Sequence, residues 1–75
     1  MNKLVFDYSK LNGLIVEKFK TQVLFAKAMG ISKSTMSLKM TNKSAFTQEE
    51  IYDACLLLNI NQKEISSYFF TPKVK

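Results

Sequence analysis

The 75-residue chain is 47% hydrophobic and 23% charged, carries a net charge of +5, and has no histidine and a single cysteine. These values describe one globular domain over residues 1–75, near the lower size limit for a self-sufficient core, and they exclude a disordered chain. They also argue against metal binding, a cofactor, a small-molecule site and histidine-based catalysis, since the six acids are scattered. Cys55 has no partner for an internal disulfide, which makes a cytoplasmic chain the simplest reading. The apolar runs are far too short to span a bilayer and there is no signal-peptide core, so no membrane contact is expected.

In chain order, residues 1–7 form an N-terminal arm whose Leu4-Val5-Phe6 run is β-prone, as a short strand or an apolar strap on the core. A helix is predicted from Tyr8 or Ser9 to about Lys20, with Leu11, Leu14, Ile15 and Phe19 inward and Lys10, Asn12, Glu17 and Lys20 largely outside. Gly13 inside that helix costs about 1 kcal/mol relative to Ala, so close packing against it is expected.

The next stretch, TQVLFAKAMGISKSTMSLKMTNK (residues 21–43), reads as two short helices joined by a tight turn. Thr21 is the N-cap of the first, and Val23, Phe25, Ala26 and Met29 supply its apolar residues. Gly30 provides the left-handed exit. Ser32 caps a second helix running through Lys33 to about Met40, and Asn42 is a left-handed stop beyond it. Small Ala26 permits close approach of the two helices, Ile31 is apolar again, and Met36 is the buried residue of the second helix.

Thr41 to Phe46 is polar and turn-like. Thr47 with Glu50 then makes a capping box, Phe46 and Ile51 have hydrophobic-staple spacing, and Glu49 and Glu50 suit the helix dipole. Ile51, Ala54, Cys55 and Leu58 form the inner stripe of this fourth helix, widened by Leu56 and Leu57. Cys55 reads as a small core residue rather than a reactive thiol. Asn61 with Glu64, and Ile60 with Ile65, repeat the cap and staple, predicting a fifth helix over about Gln62 to Phe69. Thr71-Pro72 closes it, and residues 71–75 form a tail. The fold class expected is all-α, with five helices.

The order of parts over residues 21–43 is that of the helix-turn-helix, and the residues resemble the small repressors of temperate phages, the Cro and CI type. Gln22, Ala26, Gly30, Ile31 and Met36 stand where that family has its leading Gln, small residue, turn glycine, following apolar residue and buried apolar residue. The wider pattern, from YSKLNGLIVEKF through FTQEEI to SYFFTPKVK, is similar to a Cro-like branch found in prophages of Gram-positive bacteria. One departure is Lys39, where the family often has an apolar residue. Either Met40 takes over the core role or the second motif helix is rolled.

The resemblance implies a phage-repressor-like domain in a bacterial host, binding a near-palindromic operator through the major groove and acting in a lysis–lysogeny switch. The charge distribution fits a polyanion partner: residues 1–45 hold eight lysines and two acids (+6), and residues 46–75 three lysines and four acids (−1). Exposed Ser32, Lys33, Ser34, Ser37 and Leu38 would read bases, and Gln22, Lys43 and Ser44 would contact phosphates. There is no arginine, so bidentate guanine reading by Arg is absent.

The same branch includes antirepressors, called modulators of repression, that bind the DNA-binding domain of the partner CI-type repressor. A second motif helix with three serines, an exposed leucine and no arginine suits a protein surface almost as well as a groove. An enzyme is not expected, because paired carboxylates, a nucleophile–base arrangement and a phosphate-binding glycine loop are all missing. Tyr68-Phe69-Phe70 completes the core or leaves an apolar patch. The palindromic operators of the family favour a weak homodimer through those aromatics or through Leu4-Val5-Phe6.

Overall fold

The computed structural model describes residues 5–73. Its regular elements are five α-helices: α1 (Ser9–Phe19), α2 (Gln22–Met29), α3 (Lys33–Met40), α4 (Gln48–Leu58) and α5 (Ile65–Phe69). A single 3₁₀ turn over Gln62–Glu64 precedes α5. The fifth helix is therefore shorter than its Asn61–Glu64 signal implies. The Asn61 side chain accepts from the Lys63 N–H, only two residues on, and this tightens the first turn into 3₁₀ geometry.

Helix starts follow the predicted caps. The hydroxyls of Thr21, Ser32 and Thr47 accept the N–H groups of Leu24, Thr35 and Glu50. Glu50 returns a carboxylate oxygen to the Thr47 N–H, completing the capping box. Three helix ends share one device. Gly30, Asn42 and Asn59 take positive φ, and the N–H of the residue after each reaches back to a carbonyl five residues earlier, at Ala26, Leu38 and Cys55. Those bonds satisfy orphan carbonyls and turn the chain sharply, which Gly and Asn allow with little backbone strain.

Leu11, Ile15, Phe25, Ala26, Met36, Ala54, Leu58, Ile60 and Phe69 are buried and form the core. Leu14, Phe19, Ile31, Met40, Ile51, Cys55 and Tyr68 pack around them. A chain of aromatic contacts, edge-to-face except for the tilted Phe6–Tyr8 pair, runs from Phe70 through Phe6 and Tyr8 to Phe46 and Phe69, tying the arm to α5 and to the segment that leads into α4. The Leu4-Val5-Phe6 run is a strap as far as it can be followed, Leu4 lying outside the described residues. Phe6 makes an isolated antiparallel bridge to Pro72, and no strand forms among the described residues. Asp7 N–H donates to the Thr71 carbonyl and Lys73 N–H to that of Val5 (both 2.8 Å). Pro72 sits between those two bonds, at the position that asks for no N–H. The tail beyond Lys73 also lies outside the described residues.

Four expectations are corrected. Nothing lies within 4 Å of where a Gly13 Cβ would stand, so no close packing explains that glycine. It falls two residues past Leu11, on the outward side of α1. Val23 is exposed, because the inward stripe of α2 is Gln22–Phe25–Ala26–Met29 and Val23 lies off it. Leu56 and Leu57 do not widen the core stripe of α4 but point outward. Finally, Met40 does not replace Lys39 and α3 does not roll away: Lys39 itself stays inward, at 5% exposure, with Met40 half-buried beside it.

Candidate partner-binding site

The α2–α3 junction presents the predicted residues as two sets. Ala26, Ile31 and Met36 face inward and, with Gly30 at φ 77°, fix the angle between the helices. Lys33, Ser34, Ser37 and Leu38 are exposed together on the outer side of α3, Leu38 at 45%. Ser32 is exposed, but its hydroxyl serves the helix: it accepts the Thr35 N–H at 3.1 Å and bonds the Thr35 hydroxyl at 2.9 Å. Lys43 and Ser44 are exposed just past α3, and both N–H groups fold back onto the Leu38 carbonyl. Gln22 differs from its expected role. It is half-buried, and its amide N–H donates to the Asn12 side chain on α1 at 2.8 Å.

Two side chains that sequence reasoning missed hold this face against the rest. The Lys39 ammonium lies 2.8 Å from the Glu50 carboxylate and donates to the Ala45 carbonyl at 2.9 Å, with both side chains mostly out of water (6% and 20% exposed). Burial works to raise the Glu50 carboxyl, but the Lys39 hydrogen bond, the Thr47 N–H and the ammonium charge together hold it below its ordinary value of 4.5. Asn42 clamps the arm: its side chain accepts the Phe6 N–H and donates to the Phe6 carbonyl, both at 2.9 Å. A lysine where the pattern asks for an apolar residue, with a capping-box glutamate further on, was the available signal for the first. The clamp left no local trace.

Next to Asn42 opens a pocket of about 310 Å³, bounded by Phe6, Tyr8, Lys43, Phe46 and Phe70. The Tyr68-Phe69-Phe70 cluster divides: Phe69 is core, Tyr68 is half-buried beneath the Lys10 ammonium, and Phe70 is half exposed at this pocket. Cys55 is half-buried, which raises its thiol pKa, in keeping with a packing role. Among the described residues no cluster of three metal-ligating side chains occurs, and no helix is long and apolar enough to cross a membrane.

A small helical domain with a sharply turned α2–α3 pair and a lysine–serine outer face is the class these observations define. The chain belongs to the family described as "Protein of unknown function (DUF739)", whose model matches residues 4–72. It is also similar to the modulator of repression of the temperate bacteriophage TP901-1 from Lactococcus lactis. That solution structure matches with a TM-score of 0.80 and 46% sequence identity, covering 93% of this chain and 95% of that one. No curated protein matches.

Proposed function

We propose that this chain is an antirepressor of a temperate phage or prophage, a binding protein rather than an enzyme, which relieves repression by engaging the DNA-binding domain of its partner repressor. The observation that carries this reading is the match to a modulator of repression at 46% identity over nearly the whole of both chains. An operator-binding regulator was the first expectation from the sequence. The comparisons favour the antirepressor instead, and α3 itself offers few base-reading groups: one lysine, serines and a leucine.

In this reading α2 and α3 form a helix-turn-helix of the phage-repressor type that serves as a scaffold. A specific observation keeps operator DNA as the second reading: Lys33 at the start of α3 and Lys43 in the loop after it are both exposed, where a helix lying in the major groove would place them near phosphates.

Titration of the protein against the repressor's DNA-binding domain, alongside gel shifts on switch-region DNA, tests the proposal. A one-to-one complex that removes the repressor from its operator is expected, with little operator binding by this chain alone at physiological salt. Sequence-specific operator binding by this chain, with affinity falling linearly on a log–log salt plot, would restore the second reading. In that case Lys43→Ala would lower the slope by about 1, and Lys33→Ala would narrow the gap between operator and random DNA.

A further inference from the structure

The outward side of α4 carries a pattern that the core does not use. Glu49, Tyr52, Asp53 and Leu56 recur at the spacing of one helix face, opposite the Ile51–Ala54–Cys55–Leu58 side. Tyr52 and Leu56, at 66% and 65%, are the most exposed of the large hydrophobic residues described. Leu56 stands as a ridge between two grooves. One, of about 220 Å³, lies toward Met29 and Leu57; the other, of about 370 Å³, lies toward Tyr52 and Ile65. Glu49 and Asp53 form no ion pair among the described residues, where the single pair is Lys39–Glu50. Lys63 and Glu64 on the 3₁₀ turn balance each other.

We infer that the repressor's DNA-binding domain docks on this face of α4, and not on α3. The inference rests on the antirepressor reading and names the surface it uses. A domain that binds an operator neutralises phosphates and must therefore present a basic surface. The outer face of α3 and the loop after it offer that surface only lysines, Lys33 and Lys43, and like charges repel. The α4 face offers two exposed carboxylates interleaved with a tyrosine and a leucine, which is the combination that attracts a basic partner and then holds it. Tyrosine is a favoured anchor at such centres, and the grooves on either side of Leu56 can receive apolar side chains of the partner.

Calorimetry and stopped-flow association with the DNA-binding domain of the repressor encoded in the same switch test this, using the whole chain and checking each variant's thermal unfolding. Tyr52→Ala and Leu56→Ala should each weaken binding by about thirtyfold. Glu49→Lys with Asp53→Lys should slow association by about tenfold at low salt, and less at high salt. Lys33→Glu with Lys43→Glu should leave association unchanged or faster, and Leu38→Ala should change affinity by less than about threefold. Because all these residues are exposed, unfolding midpoints should stay near the wild-type value.

If the wild-type chain binds but the α4 variants bind as well as it does, or if Leu38→Ala does the greater damage, the α4 assignment is wrong while the antirepressor reading stands. If the wild-type chain does not bind the repressor domain at all, both fall together. A wild-type dimer that Leu56→Ala converts to monomer would also overturn the inference, since the occupant of the face would then be a second copy.

Discussion

The two junctions of α3 are built in opposite ways. At its N-terminal side the α2–α3 turn is closed by backbone: Gly30 at positive φ, the Ile31 N–H on the Ala26 carbonyl at 3.0 Å, and the Ser32 cap, over a floor of Ala26 and Met36. At its C-terminal side the α3–α4 junction is closed by side chains. Asn42 holds Phe6, while Lys39 reaches both Ala45 and the first turn of α4 through Glu50. The first device needs only neighbours in sequence and an apolar floor. The second needs polar partners that are brought together by folding, and each becomes a liability if its partner is lost.

The largest effect is expected at the first junction. Met36→Ala should cost roughly 2–5 kcal/mol in chemical denaturation, as a large-to-small change at a fully buried site. Ser34→Ala on the opposite face should stay within about 0.5 kcal/mol. Similar midpoints for the two would reverse the assigned faces of α3.

At the second junction the two partners should behave unequally. Glu50→Gln leaves the buried Lys39 ammonium without its counter-charge and should cost about 2–3 kcal/mol, below the full figure for a buried pair because Glu50 is partly wet. Lys39→Met removes the charge along with its need and should cost less, or stabilise. Acid sharpens the contrast. Because the Glu50 carboxyl titrates below 4.5 when folded, its contribution is complete above that pH and is lost as pH falls through the lowered value. The gap between wild type and Glu50→Gln should therefore narrow in denaturation series taken progressively below pH 4.5.

Asn42 separates backbone from side chain at the same junction. Asn42→Gly keeps the positive φ but releases Phe6, for about 1–2 kcal/mol, and Asn42→Ala should lose about 1 kcal/mol more by straining the turn. Equal midpoints for the two variants would mean that the left-handed turn contributes nothing. A more modest loss is expected for Thr47→Ala, about 1 kcal/mol through the lost cap. Thermal unfolding resolves an effect of that size in so small a domain, and a neutral result would remove Thr47 from the account of where α4 begins.

What could be read from the sequence follows the same division. Caps, turns and the apolar stripes of α1, α3 and α4 depend on residues three or four apart, so Thr21, Gly30, Ser32, Thr47 and Met36 are found where their local chemistry puts them. The Lys39–Glu50 pair and the Asn42–Phe6 clamp were not legible, because each joins groups whose meeting depends on the completed fold. Val23, Leu56 and Leu57 show the other blind spot. Apolar type alone does not say which side of a short helix is inward, and Gln22 holds the inward place in α2 because Asn12 is there to satisfy it. The exposed lysines and serines of α3 were located correctly as a surface, but a surface does not declare its partner.

The bonds joining Val5 and Asp7 to Lys73 and Thr71 close nearly the whole chain into a ring. Contacts of such long span come late in folding, since loop-closure entropy rises with the length enclosed, by about 0.6 kcal/mol per doubling. By the same reasoning they are the first to open. The Asp7 and Lys73 amides should exchange with solvent sooner than those of α1 or α4, a contrast that hydrogen exchange would measure.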